Sequence, residues 1–332
     1  MKKIVASAAA LCLVSGSTMA APKIAKMGHE LAPVHYEHVA MTKMADYVKE
    51  KTNGSLIIEV YHSGQLGSNK EVMEAMKYGT VQLGTNTPAG LGNFVKEFSL
   101  FALPLVFPDA ETAQKIADGP WGQDLLSRLE RIGYVGLAYG DFGFRQTTNN
   151  VRPIKSVDDF AGLKIRLQPN PVHLAVFREL GANPVSMAFS EVFSALQQGV
   201  IDGEENPLGN ITTAKFYEVQ KYLTLTNHAS ERIAMVASKQ FYDSLTAEEQ
   251  QALREGANIA RDHMRSAVAE SDRQSLEEIR KNGTTEINEI SPEVLAEMLK
   301  KAWPAIEKAG NEINPELFKS LMAEIDRVKN EK

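Results

Sequence analysis

Leu56-Ile57-Ile58-Glu59-Val60-Tyr61 alternates and is rich in β-branched residues, the pattern of a strand with one buried face. Before it, Val34 to Lys51 repeats with helical period, with Val39, Met44, Tyr47 and Val48 near one face, and Lys23 to Met27 reads as a short strand. Strand, helix and strand in that order make a βαβ unit. After it, Asn69 to Tyr78 reads as a helix capped by Asn69 and stopped by Gly79, and Val81 to Thr85 as a strand. Thr112 to Arg131 is helical with a break near Gly119-Pro120, and Tyr134 to Tyr139 and Phe142 to Asn149 read as two strands. This alternation predicts an α/β fold with helices on both faces of a sheet.

A second α/β pattern follows Pro153. Leu163 to Gln168 is a strand, Pro171 to Leu180 a helix, Pro184 to Ser186 a short strand, Ser190 to Gln198 a helix and Val200 to Asp202 a strand. Strands at Tyr222 to Thr226 and Ile233 to Ser238 can return the chain to the first sheet. The capping box Thr246-Ala247-Glu248-Glu249 opens a helix that reaches toward Arg280, long enough to brace two lobes. Ser291-Pro292-Glu293 starts another helix, and Pro315 to Val328 forms the last. The expected division is residues 1–20 as a signal peptide, 21–148 with about 228–270 as one lobe, and 149–227 with about 271–332 as a second lobe with bracing C-terminal helices.

The 332 residues are 43% hydrophobic and 23% charged, which excludes intrinsic disorder and admits one large or two ordinary domains. A net charge of −6 argues against nucleic-acid binding, so any bound anion must be held by local cations. Lys2-Lys3, an apolar run from Ile4 to Val14 and small residues at Thr18 and Ala20 form a secretory signal peptide cleaved after Ala20. The run is too short for the roughly 20 residues needed to span a bilayer. Loss of Lys2 and Lys3 takes the charge from −6 to −8, and loss of Cys12 leaves no cysteine, hence no disulfide and no thiolate. An exported, acidic, cysteine-free chain points to the periplasm.

The sequence contains no G-x-S-x-G elbow, no phosphate-binding G-x-x-x-x-G-K-[ST] loop and no H-E-x-x-H. Gly90-Leu91-Gly92 lacks the third glycine of a dinucleotide fingerprint. His35 and His38 stand three apart on the expected helix and could chelate a metal only with a third ligand from elsewhere. No catalytic residues, cofactor or metal are therefore expected.

In Leu163-Lys164-Ile165-Arg166-Leu167-Gln168 the alternation sends Leu163, Ile165 and Leu167 to one face and Lys164, Arg166 and Gln168 to the other. That second face either meets water or places Arg166 and Gln168 at the carboxyl end of a strand, where open α/β sheets bind ligands. Gly143-Phe144-Arg145-Gln146 supplies another arginine near the lobe boundary. A guanidinium stays charged and presents a planar fork that matches a carboxylate. Further on, Gly199-Val200-Ile201-Asp202-Gly203-Glu204-Glu205-Asn206-Pro207 runs into a helix, where Asn206 either caps that helix or meets a ligand's oxygens.

These stretches, with Asn149-Asn150, Gly181-Ala182-Asn183-Pro184, Phe189-Ser190-Glu191-Val192, Gly64-Gln65-Leu66-Gly67 and Phe101-Ala102-Leu103-Pro104, resemble the extracytoplasmic solute-binding proteins of TRAP (tripartite ATP-independent periplasmic) transporters, the DctP family. The resemblance covers essentially the whole mature chain. It implies a two-lobed periplasmic binding protein of type II-like architecture, with a ligand cleft between the lobes, a long bridging helix and a small organic acid as ligand. It further implies that Arg166 pairs with the ligand carboxylate, helped by Arg145, Phe189 and Asn206; Gln168, Thr87 and Glu205 are further candidate ligand-binding residues. The partners so implied are the small and large TRAP membrane subunits, docked peripherally at the inner membrane, with delivery and no chemical conversion.

C4-dicarboxylate binders of this family tend to carry a cation just before the segment matching Phe94 to Pro104, and sialate binders acidic and basic residues. Here Thr87-Pro88-Ala89-Gly90-Leu91 is uncharged, leaving Arg145 as the candidate partner of a second carboxylate. His29, Glu30 and Asn69 are candidate hydroxyl partners, although His29-Glu30 reads equally as a solvated turn. The expected ligand is a sugar acid such as a hexuronate (glucuronate or galacturonate), with C4-dicarboxylates (succinate, malate, fumarate) second and an exported sugar-acid lyase or hydrolase a remote alternative.

Overall fold

The computed structural model describes residues 21–331, so the signal-peptide expectation for residues 1–20 lies outside the described residues. Nine strands form one sheet: β1 Lys23–Gly28, β2 Leu56–Tyr61, β3 Leu83–Asn86, β4 Tyr134–Asn149, β5 Ile165–Leu167, β6 Val185–Ser186, β7 Gly203–Pro207, β8 Tyr222–Ser238 and β9 Glu286–Glu289. Their order is β2-β1-β3-β8-β4-β7-β5-β6, with β9 on β8. β1 runs parallel to both β2 and β3, and β5 parallel to both β6 and β7. The two parallel regions are joined by the antiparallel pair β4 and β8. Those two strands pass through both lobes of the α/β fold. The second half of β8 pairs with β3 and its first half with β9, while the second half of β4 pairs with β7.

Two strands were expected in each of the regions now occupied by β4 and β8. Each is instead one strand of 16 or 17 residues, kept in register by irregularities at Gly136/Ala138, Asp141/Gly143 and Arg145/Thr147. Such bulges bend a ladder without ending it, which lets one strand serve two differently oriented lobes. The strand expected at Val200 to Asp202 begins later, at Gly203. A Cβ on Gly203 would overlap the Thr148 carbonyl oxygen, so the close approach of β7 to β4 needs glycine here.

Helix Tyr36–Lys51 packs on helix Ala247–Asn282, where Gly256 lets Met44 and Val48 come close. Both cover the face of the sheet lined by Ala25, Met27, Leu83 and Met235. Helix Ala247–Asn282 has the capping box of Thr246 and Glu249, ends at the left-handed Gly283, and at 36 residues is about 54 Å long. It also packs on β4 and on helix Leu208–Thr213, to which Ser275 bonds through Thr212 Oγ1 at 2.9 Å. It thus braces elements that lie far apart in the chain, between residues 36 and 213. Helices Pro292–Ile313 and Pro315–Asn330 pack on Pro171–Glu179 and Ala110–Asp118 respectively, closing a large core that holds Phe101, Trp121, Phe160 and Phe177.

Two caps differ from expectation. Ser68, not Asn69, caps helix Asn69–Lys77, through a capping box with Glu71. Asn206 lies inside β7, and helix Leu208–Thr213 starts without a side-chain cap. Among the described residues no helix is long and apolar enough to cross a membrane.

Candidate functional site

A cavity of about 410 Å³ lies where the carboxyl ends of β1, β3, β5 and β7 meet the crossing strands. Its size is that of a small-molecule pocket. Arg145, Arg166, Gln168, Asn206, Phe189, Glu30, Asn69 and Thr87 line it, which brings together eight of the ten residues singled out from the sequence. His29 and Glu205 do not line it. His29, proposed as a hydroxyl partner or part of a solvated turn, is buried, and its Nε2 lies 3.1 Å from His38 Nδ1. Glu205 is buried behind Arg145.

Arg166 enters from β5, whose three residues are all buried. Its Nε and Nη2 donate to the Met187 carbonyl oxygen at 3.0 and 2.9 Å. Its Nη1 is buried and has no hydrogen-bond partner, and no carboxylate lies within ion-pair distance among the described residues. Burial lowers its pKa to about 10, Arg145 adds to this, and Glu205, Glu204 and Glu30 oppose it. A desolvated guanidinium in this state gains most from an anion.

Arg145 is in the opposite situation. Its Nε and Nη2 bind the Glu205 carboxylate, Nη2 also donates to the Glu205 carbonyl oxygen, and Nη1 binds Glu231. Burial would lower its pKa, but Glu205 and Glu231 outweigh that and raise it. Burial would likewise raise Glu205, whereas Arg145 and a 3.0 Å contact to His228 Nε2 hold it at about 2. The expectation that Arg145 is available to a second ligand carboxylate meets this obstacle: two carboxylates already take most of its donors.

The remaining polar groups form a wall of amides and hydroxyls. Thr87 Oγ1 donates to Gln168 Oε1 at 2.6 Å, and Gln168 Nε2 donates to Glu231 Oε2 at 2.6 Å. Asn93 Nδ2 donates to the Pro169 carbonyl at 2.7 Å, so the 87–93 segment is tied to the end of β5. Asn206 Nδ2 donates to Glu204 at 2.5 Å and Asn206 Oδ1 accepts from Asn210. Burial raises Glu204 to about 7. The Oδ1 atom of Asn69 is buried without a partner, and Asn210 faces the His35 ring. Phe189 packs against Phe216 with ring centroids 5.6 Å apart, an apolar surface beside these groups. Glu30 is raised to about 6 by burial against the opposing charge of Arg166.

Sequence reasoning missed Glu37, Lys70, Asn86, Asn93, Asn210 and Glu231 among the lining residues. Glu37 sits in the first turn of helix Tyr36–Lys51, where a glutamate usually faces water. The signal for Asn86 lay in its position at the end of β3, next to the Thr87-Pro88 helix start. His35 and His38 do not share a helical face: His35 is the N-cap, accepting from the Glu37 N–H at 3.0 Å, while His38 meets His29 and His62. No cluster of three metal-ligating side chains occurs among the described residues.

A family model described as DctP, bacterial extracellular solute-binding protein, family 7, matches residues 27–312. The chain is 38% identical to the C4-dicarboxylate-binding periplasmic protein DctP of Rhodobacter capsulatus over 291 residues, 87% of each chain. It is 34% identical to the 2,3-diketo-L-gulonate-binding periplasmic protein YiaO of Escherichia coli K12, over 88% of each. The crystal structure of the sugar acid binding protein DctPAm from Advenella mimigardefordensis, in complex with galactonate, superposes with a TM-score of 0.89 at 31% identity, covering 92% of this chain and 98% of that one.

Proposed function

Because the chain belongs to the DctP family of bacterial extracellular solute-binding proteins, family 7, and is thus a TRAP-type periplasmic binding protein for organic acids, we propose that its ligand is a sugar acid held through its carboxylate by Arg166. The carrying observation is the Arg166 guanidinium: buried, facing the cavity, and with Nη1 lacking any protein acceptor. A carboxylate there gains a charge-assisted contact of about 1.5–3 kcal/mol that water cannot offer a desolvated cation.

A hexuronate or related sugar acid suits the rest of the cavity better than a second carboxylate does. Arg145 is balanced by Glu205 and Glu231, so the interior offers one uncompensated cation. Asn69 presents an unpaired amide oxygen suited to a hydroxyl donor, and Glu30 and Glu37 add carboxyl groups. Phe189 covers a carbon skeleton, as expected for an aromatic beside a sugar ring. A C4-dicarboxylate is the second reading, and Lys70 favours it, being the remaining cation among the lining residues. In either case the protein binds without converting its ligand and passes it to the small and large TRAP membrane subunits.

Thermal shift of the mature protein against hexuronates, aldonates, C4-dicarboxylates and sialate tests this. A ligand at a thousandfold excess over its Kd stabilises by about 4 kcal/mol, several degrees for a chain this long. Shifts with uronates or aldonates and recovery of the unchanged acid are expected. Shifts with succinate or malate alone would reverse the order of the two readings, and conversion of the acid would replace binding with catalysis.

A further inference from the structure

Among the described residues Glu37 is a buried acid with no charged base to balance it. Its side chain is about 2% exposed, it lines the cavity, and Oε1 has no hydrogen-bond partner. The nearest basic group is His29, whose Nδ1 lies 3.7 Å from Glu37 Oε2 and is itself unpartnered. Burial, with His38 and His62 adding, lowers His29 to about 3, so the imidazole is neutral and supplies no charge. An ionised carboxylate in this setting would be costly.

We propose that Glu37 is a specificity-determining residue that presents a neutral carboxylic acid to the cavity and exchanges hydrogen bonds with a hydroxyl group of the ligand. The inference rests on the sugar-acid reading above. A carboxylic acid both donates and accepts, which matches the double character of an alcohol. It also adds no negative charge beside the anion that Arg166 attracts, whereas a carboxylate would repel it. Burial raises Glu37 to about 8, in keeping with the neutral form at pH 7. The groups facing Glu37 from neighbouring elements are His29 and Glu30 after β1, Thr85 of β3, whose hydroxyl faces the carboxyl group and pulls its pKa down against burial, His35 at the helix cap and Tyr36 beside it. His35, like His29, is lowered to about 3 by burial, and burial raises Tyr36 above its ordinary range. Glu30, raised to about 6, titrates in a lower window.

The geometry offers a reason for the placement. His35 accepts the Glu37 backbone N–H through Nδ1, which fixes the first helical turn and directs the Glu37 side chain to the cavity wall. The acid is therefore positioned by the helix start, and the Thr85 hydroxyl beside it opposes the effect of burial on its pKa without reversing it.

Calorimetric titration of the mature protein with D-galacturonate, D-galactonate and succinate, at pH 7 and pH 9, tests the proposal. Glu37→Ala should weaken both sugar acids by about tenfold or more, the range for removal of a buried hydrogen-bonding group, and succinate by less than threefold. Glu37→Gln, of the same size and with a donor and an acceptor, should recover most of that loss. Wild type should lose more affinity for the sugar acids between pH 7 and 9 than Glu37→Gln does. Glu204 titrates in both proteins, so the difference isolates Glu37. Folded Glu37→Ala that binds the sugar acids like wild type, or Glu37→Gln with the wild-type pH profile, would overturn the proposal and leave the sugar-acid reading standing. Wild type that binds succinate alone would overturn both.

Discussion

Arg145 and Arg166 reach one cavity in opposite electrostatic states: Arg145 is held by the carboxylates of Glu205 and Glu231, and Arg166 by a single backbone carbonyl, that of Met187. Both side chains are fully buried, so the difference lies in their partners and not in their exposure. Arg145 is thereby a structural member of the wall, and Arg166 keeps a buried guanidinium nitrogen without a partner.

Removing Arg145 should act first on folding. Arg145→Met leaves Glu205 and Glu231 without their cation in a buried setting, and loss of one partner of a buried ion pair costs about 3–5 kcal/mol. Urea unfolding of the mature protein reads this as a lower midpoint with an unchanged slope. Wild-type stability in Arg145→Met would contradict the assignment.

Ligand charge should matter more than ligand length. With one uncompensated interior cation, D-galacturonate should bind at least tenfold more tightly than succinate, and Lys70→Ala should weaken succinate more than galacturonate. Competition titrations decide it, and equal affinities would show that the wall makes room for a second carboxylate.

Stability should carry the signature of Glu37. Its pKa is raised by burial from 4.5 to about 8, so the folded state holds its proton more firmly than the unfolded chain does. That contribution is fully present below about pH 4.5 and is lost as pH rises through 8. Glu37→Gln, which cannot ionise, should therefore gain in melting temperature relative to wild type as pH rises from 5 to 9. A constant difference across that range would mean that Glu37 is ionised throughout.

β7 should tolerate no side chain at Gly203. A Cβ there would overlap the Thr148 carbonyl oxygen, so Gly203→Ala must push β7 from β4 and with it the register that aligns Asn206 with Gln146. Loss of several degrees in Tm together with weaker ligand binding is expected, and an unchanged protein on both counts would show that the strand pair has slack.

Much of this was legible in the sequence because local chemistry carried it. The βαβ start, the capping box at Thr246 and the Arg166 strand are written in alternation, caps and residue type. Ser68 is legible too, since Ser68-Asn69-Lys70-Glu71 has the spacing of a capping box, although the asparagine beside it is an equally ordinary cap residue. What local pattern does not carry is tertiary. The turn at Gly140-Asp141 looks like a strand end, and only pairing with Ile233 and Arg232 across β8 keeps the ladder running. β9, with Glu286 and Glu289 exposed, has little apolar signal and exists because Tyr222 to Leu225 offers it an edge. Glu37 looks like a solvated acid and Glu205 like a ligand contact until the fold buries them, and Arg145 looks free until Glu205 and Glu231 arrive.

The most direct test is calorimetric titration of D-galacturonate and D-galactonate into the mature protein and its Arg166→Ala and Arg166→Lys variants. One-to-one binding by wild type, a loss of about 10- to 150-fold in Arg166→Ala and partial recovery in Arg166→Lys are predicted, from the 1.5–3 kcal/mol of a charge-assisted bond and the poorer geometry of lysine. Wild-type affinity in folded Arg166→Ala would contradict the account, because the carboxylate would then be held elsewhere.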